Sequence, residues 1–192
     1  MSGETYHLVE GPGIEPVTLD EAKLHLRVDT EDDDELIEAL IVAARERAED
    51  FTGCAFILQS WDLKRDYAFP DGFELKKPPL SSVTSITYVD SDGDSTTLAT
   101  SQYTVDAPSG RHAAKGRIVP AYQVTWPATR EVINAVTVRF EAGYGDTAED
   151  VPEAIKLAIK IAAGHYYASR DMGGDLPELA KDLLWPFRME LI

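Results

Sequence analysis

The clearest pattern in the sequence is an apolar stripe between residues 32 and 57. Its members recur three and four positions apart, which predicts one face of an amphipathic helix: Leu36, Ile37, Leu40, Ile41, Ala44, Ala48 and Phe51. Charged residues of the same stretch are predicted to fill the other side: Glu35, Glu38, Arg45, Glu49 and Asp50. Asp32, Asp33 and Asp34 are candidate N-caps, and Gly53 is placed to end the helix. A helix of this length is marginal alone, so the stripe predicts a partner surface.

Three further segments carry helix signals. Thr18 and Glu21 have the spacing of a capping box, which predicts the start of a short helix. Asp150, followed by an early proline, predicts the start of a third helix that we expect to end near Arg170. A fourth, short helix is predicted from Pro177 to about Leu184.

Between residues 54 and 145 the apolar period changes to two, which is typical of strands. The predicted strands are residues 55–65, 73–76, 83–89, 96–98, 103–106, 117–119 and a last one through Val136, Val138 and Phe140. Residues 1–17 and 108–116 are predicted to be loops.

The order of these elements predicts an α+β fold, in which a small helical bundle is built from both chain ends and an antiparallel β subdomain is inserted. We place residues 1–53 and 146–192 in the helical bundle domain and residues 54–145 in the inserted β subdomain.

Charge changes this picture more than composition does. The 192 residues are 44% hydrophobic and 27% charged, which is ordinary for a globular protein. The net charge of −16, however, argues against a surface that grips nucleic-acid phosphates. A single cysteine, Cys54, excludes an internal disulfide, and we expect it to be a small buried residue. We find no signal-peptide pattern and no apolar run of membrane-spanning length.

Two groups of residues have a partial catalytic or metal-binding pattern. Asp90, Asp92 and Asp94 alternate like the start of a calcium loop. Ser95 and Ser101 stand where that loop requires glycine and glutamate, so a solvated hairpin turn is the favoured interpretation.

The second group is His165 with Asp171, whose spacing does not bring them together on a helix, and a packed aromatic helix end is favoured instead. No histidine pair has metal spacing, and no glycine loop suits a phosphate. We therefore predict no catalytic residue, no metal and no cofactor. An enzyme with a widely scattered site is the rival interpretation.

An apolar segment follows the fourth predicted helix: Leu184, Trp185, Pro186, Phe187 and Arg188. Exposed aromatic side chains near a chain end are costly unless something covers them. One interpretation is that they fold back onto the bundle. The other is that they dock into another subunit, because aromatic residues and arginine are favoured anchors at interfaces.

Several short motifs occur along nearly the whole chain: LDEAKLHLRVD at 19–29, DDELI at 33–37, AEDFTG at 48–53, QSW at 59–61, PPLSSV at 78–83, YVDSDG at 88–93, FEAGYG at 140–145, HYY at 165–167 and LLWPFR at 183–188. Their order and spacing resemble the head–tail connector (adaptor, or head-completion) proteins of tailed phages and phage-like gene transfer agents.

The resemblance implies a structural virion protein without catalysis. Such connectors form a ring of about a dozen subunits between portal and tail, which extends the DNA channel and gives the tail a platform. The implied partners are the portal protein, a tail-side connector or stopper/terminator protein and further copies of the chain. DNA would pass without specific binding, and no membrane is involved.

The implied location is the head–tail interface of a virion or phage-like particle, after assembly in the bacterial cytoplasm. Carried onto this chain, the resemblance assigns portal docking to Leu184, Trp185, Pro186, Phe187 and Arg188. The alternative is a non-virion acidic binding or scaffold protein with a similar α+β plan.

Overall fold

The structure, a computed structural model, describes residues 3–112, 114–169 and 175–189. Over these residues the chain forms four α-helices and eight β-strands, which confirms the predicted α+β class. It divides into two compact units. A helical unit comprises residues 12–57 and 144–192, and a β unit comprises residues 1–11 and 58–143.

The helical unit contains α1 (Leu19–Leu26), α2 (Asp34–Thr52), α3 (Glu153–Ser169) and α4 (Glu178–Leu184). Short 3-10 turns cover Ala148–Asp150 and Trp185–Phe187. The predicted end of α3 at Arg170 lies outside the described residues. The stripe of α2 is buried as predicted except at its ends, where Leu36 is 40% exposed and Phe51 is half-buried.

The ends of the helices match the predicted caps in part. Thr18 and Glu21 form the full capping box, with Glu21 N–H donating to Thr18 Oγ1 at 3.2 Å and Thr18 N–H donating to Glu21 Oε2 at 2.9 Å. Gly53 ends α2 in the left-handed conformation, with φ at 75°. Asp33 occupies the N-cap position of α2, but its carboxylate accepts the Tyr167 hydroxyl hydrogen at 2.5 Å and caps nothing.

The predicted cap of α3 is wrong. Asp150 accepts hydrogen bonds from the backbone N–H and hydroxyl of Thr147, so it closes the preceding 3-10 turn instead. The 3-10 turn has the same Thr-x-x-acid spacing that opens α1. The Asp150 carboxylate therefore accepts the backbone N–H of Thr147 instead of capping α3.

The β unit contains two antiparallel sheets. Its strands are β1 (Glu4–Glu10), β2 (Gln59–Arg65), β3 (Phe73–Leu75), β4 (Leu80–Val89), β5 (Ser95–Thr97), β6 (Tyr103–Asp106), β7 (Gly116–Pro120) and β8 (Val136–Ala142). The larger sheet has the order β1-β2-β8-β4-β5, and the smaller has the order β3-β7-β6. The smaller sheet approaches the larger closely, because a Cβ on Gly116 would lie 2.3 Å from a Leu80 methyl carbon.

Strand β1 was not predicted. Residues 1–17 were expected to form a loop and to group with the helices, whereas residues 1–11 lie in the β unit. Glu4 pairs with Arg65, and Tyr6 pairs with Leu63. Because β1 is an outer strand with mostly exposed side chains, its sequence lacks the alternation that marks a half-buried strand.

Tyr6 connects β1 to β3. Its hydroxyl donates to the carbonyl of Glu74 at 3.0 Å and accepts from the N–H of Lys76 at 3.2 Å, while its ring packs edge-on against Phe140. Burial raises the pKa of Tyr6 to about 12. The β unit has a second aromatic cluster, in which the ring of Phe69 stacks on that of Trp126 with their centres 4.8 Å apart.

Candidate partner-docking site

The segment from Leu184 to Arg188, here called the Trp185 segment, has alternating environments. Leu184 and Phe187 are buried in the helical core, at 0% and 5% exposure. Trp185 is 62% exposed, and Pro186 and Arg188 are also exposed. The segment therefore folds back onto the bundle through Leu184 and Phe187, as the first interpretation predicts. The other three residues point outward, and their docking into another subunit stays a prediction.

Two hydrogen bonds fix the backbone of this segment and of the residue after it to the end of α2. Met189 N–H donates to the carbonyl of Thr52 at 2.7 Å, and the Cys54 thiol donates to the carbonyl of Phe187 at 3.3 Å. A Cβ on Gly53 would lie 3.5 Å from Met189 Cβ, so the chain passes directly over the helix end. The exposed side chains are thus presented from a fixed backbone.

The outward face of the segment is an aromatic and cationic cluster. The rings of Phe51 and Trp185 lie 6.5 Å apart at 50°. The guanidinium carbon of Arg188 lies 5.4 Å from the Phe51 ring centre and 5.2 Å from the Trp185 ring centre. These are cation–π distances, and tryptophan and arginine are enriched among the residues that dominate binding energy at interfaces.

Phe51 is the member of this cluster that the sequence assigned differently. The helical stripe predicted it to be a core residue, but it sits at the last turn of α2, where the stripe reaches the surface. The signal available in the sequence was its position two residues before the terminating Gly53. Its contact with Trp185 spans more than a hundred residues and has no local signal.

A buried ionic network also escaped the prediction. Arg45 and Glu49 were placed on the polar face of α2, yet both are buried. Arg45 donates to Glu15 at 2.8 Å and to Glu49 at 2.7 Å, and Glu49 also accepts the N–H of Phe56 at 2.9 Å. Their spacing of four residues was a usable signal, while the partner Glu15 had none.

Burial and pairing act on the pKa values of this network in opposite directions. Burial raises the pKa of Glu15, although the neighbouring Arg45 lowers it. For Arg45, burial alone would lower the pKa, but the carboxylates of Glu49 and Glu15 outweigh it and raise the pKa. The network thus holds charged groups inside the unit, where it fixes the segments before α1 and after α2.

The Asp90 region forms the hairpin turn favoured by the sequence. One carboxylate oxygen of Asp90 accepts the backbone N–H groups of Asp92, Gly93 and Asp94 at 3.0–3.1 Å, and the other accepts the Thr96 hydroxyl. The backbone donor at Asp94, ahead of the others, lowers the pKa of Asp90. This carboxylate is therefore occupied by the turn itself.

The other candidates give no catalytic arrangement within the described residues. His165 is exposed and packs edge-on against Tyr166, while its suggested partner Asp171 lies outside the described residues. In residues 3–112, 114–169 and 175–189, no group of three histidine, cysteine or acidic side chains is placed to hold a metal ion. In those same ranges, no helix combines the length and apolarity needed to cross a bilayer.

Charge is divided unequally between the two units. The helical unit has 22 acidic and 9 basic residues, a net charge of −13, and the β unit has 12 acidic and 9 basic residues, a net charge of −3. The acidity of the chain is therefore a property of the helical unit.

The fold and this surface define the class: an α+β protein of two units whose most distinctive exposed feature is the aromatic and cationic cluster of Phe51, Trp185 and Arg188. Residues 16–102 match the family described as "Phage gp6-like head-tail connector protein". This match confirms the predicted resemblance to head–tail connectors. The matched family is one of structural proteins rather than enzymes, in agreement with the predicted lack of a catalytic role.

Solved structures with the same fold come from gene transfer agent (GTA) particles. A chain in the neck of an empty GTA particle, computed with C6 symmetry, is 22% identical, with a TM-score of 0.78 over 98% of this chain and 97% of that one. A chain from the virion of a native GTA particle is 22% identical, with a TM-score of 0.79 over 98% and 97%. A chain in the neck of a native GTA particle, computed with C12 symmetry, is 21% identical, with a TM-score of 0.69 over 97% of each. No curated protein sequence matches the chain.

Proposed function

We propose that this protein is a structural virion component that forms a ring between the portal and the tail of a phage-like particle. The observation that carries the proposal is the fold match over almost the full length to two chains from GTA necks, described with C6 and C12 symmetry. The connector family match over residues 16–102 supports the same role. Location at the head–tail interface follows from it.

A ring requires two different contact faces on each subunit, because neighbours pack head to tail. We propose that the helical domain and the inserted β domain are separate domains, and that they supply these faces. DNA passing through the ring would meet an acidic protein, so it would slide without specific binding.

Within this role, the Trp185 segment is proposed to dock on the portal protein. Its support is the fixed backbone and the outward Trp185, Pro186 and Arg188. A tail-side connector or stopper/terminator protein is the proposed partner on the opposite side of the ring.

The role is tested by quantitative mass spectrometry on particles from the source culture after nuclease and protease treatment. We expect the protein at a small fixed ratio to the major capsid protein, as one ring per particle requires. Its absence from purified, DNA-filled, tailed particles would contradict the proposal, and a binding or scaffold protein outside the virion would become the better account.

The docking site is tested by Trp185→Ala, with portal binding measured on the purified protein. A central tryptophan anchor typically contributes about 2 kcal/mol or more, so we expect binding to weaken by about thirtyfold. Tyr122→Ala is a matched control, because Tyr122 is an exposed aromatic residue of the β unit. Deletion of the whole segment is a poorer test, because it also removes the core residue Phe187.

A further inference from the structure

Arg188 is positioned before any partner arrives. Its guanidinium carbon lies beside both the Phe51 and the Trp185 rings, at 5.4 and 5.2 Å from their centres, and its backbone N–H donates to the carbonyl of Trp185 at 3.1 Å. Both rings belong to a surface whose backbone is tied to the end of α2. A side chain restrained in this way loses less conformational entropy when it binds.

The hydrogen-bond donors of that guanidinium are unused within the described chain. Arg188 forms no ion pair with any carboxylate of the described residues, although its unit contains 22 acidic residues. Arg45 in the same unit, by contrast, is fully engaged by Glu15 and Glu49. The aromatic rings attract the positive charge of Arg188 without taking its five N–H donors as a carboxylate does.

The exposed indole of Trp185 adds an apolar surface beside these donors. A partner that binds both the guanidinium donors and the indole would present a carboxylate next to an apolar group. A guanidinium binds a carboxylate through two parallel hydrogen bonds. Arg188 also places a cation on the surface of a unit whose net charge is −13, so an acidic partner is attracted at this point rather than repelled.

We propose that the partner docked on the Trp185 segment presents an aspartate or glutamate side chain to Arg188, with an apolar contact against Trp185. This inference rests on the proposed function, in which the partner is the portal protein. It adds the chemical identity of the contact and assigns Arg188 a specificity-determining role.

The test measures binding of the full-length protein to the portal of the same particle. Arg188→Gln removes the charge and the paired donors, so we expect affinity to fall by about tenfold to a hundredfold. Arg188→Lys keeps a cation beside the rings but lacks the planar fork, so an intermediate loss is expected. Arg47→Gln is the control, since Arg47 is also an exposed arginine of the helical unit.

A charge exchange then identifies the partner residue. Arg188→Glu is combined with single Asp→Lys or Glu→Lys substitutions on the portal, and restored binding by one of them supports the inference. Thermal unfolding of each variant shows that the fold is intact. The carboxylate contact is overturned if Arg188→Gln binds as tightly as the original protein while Trp185→Ala weakens binding. Absence of portal binding by the unaltered protein would instead count against the proposed function itself.

Discussion

Arg45 shows how a buried charge constrains the helical unit. A cation removed from water is stable only when its partners stay with it, and Glu15 and Glu49 lie at 2.8 and 2.7 Å. The same Glu49 accepts the N–H of Phe56, whose carbonyl accepts the N–H of Tyr144 at 3.0 Å. A few polar contacts therefore hold the segments that enter and leave the helices.

Glu49→Ala should destabilise the helical unit strongly, because it leaves Arg45 with one hydrogen-bonded carboxylate, Glu15, and removes the carboxylate that accepts the N–H of Phe56. The expected loss is about 3–5 kcal/mol in the free energy of unfolding, measured by urea denaturation. Glu46→Ala is a matched control, since Glu46 is exposed and lies 3.7 Å from Arg45, and its effect should stay within about 0.5 kcal/mol. Equal effects of the two substitutions would contradict the role of the network.

Tyr6 predicts a pH dependence at the alkaline end. Burial raises its pKa from 10.0 to about 12, so the unfolded tyrosine ionises first. The stabilisation that comes from burying the neutral Tyr6 side chain is fully present below about pH 10, and it is lost as the pH rises towards about 12. In urea denaturation, the free energy of unfolding of the original protein should therefore exceed that of Tyr6→Phe by less at about pH 11 than at about pH 9. A constant difference would show that the Tyr6 hydroxyl is not held as described.

The helices were predictable because one apolar period and a few capping residues specify each of them. The 3.6-residue stripe located α2, and Thr18 with Glu21 located the start of α1. Strand β1 was not predictable in this way, because its order comes from pairing with β2, whose sequence lies about fifty residues further on. Asp150 was misassigned because two successive turns compete for the same carboxylate.

Gly53 tests how much the end of α2 depends on its backbone conformation. At φ of 75° an alanine is strained, so Gly53→Ala should cost about 1–2 kcal/mol. Gly11→Ala is the control, because a Cβ there meets nothing within 4 Å and no left-handed conformation is involved. Thermal unfolding of both variants measures the difference. A neutral Gly53→Ala would mean that the chain ends α2 in another way.

Across the whole molecule, the candidate site was only partly visible in the sequence. The segment Leu184–Arg188 was identified from its composition, but its separation into buried and exposed members depends on the 3-10 turn Trp185–Phe187. The contribution of Phe51 depends on tertiary packing between distant parts of the chain. Local patterns predict elements, whereas a surface assembled from two elements requires their packed arrangement.

The charge of the whole chain predicts its behaviour towards DNA. With a net charge of −16, the protein should not retard duplex DNA in a gel, even at an ionic strength of about 0.01 M, where attraction would reach furthest. A basic DNA-binding protein run in the same gel serves as a control for the sensitivity of the assay. Retardation by the unaltered protein would argue against a channel that DNA passes freely.

The thiol beneath the Trp185 segment has a practical consequence. Cys54 is the single cysteine of the sequence, is 3% exposed, and donates to the carbonyl of Phe187. Because the thiol is buried, a maleimide dye reaches it only when the packing around it opens, so the labelling rate measures how often that happens. Slower labelling in assembled particles than in the free protein would indicate that a partner covers the Trp185 segment, and it would do so without any engineered probe.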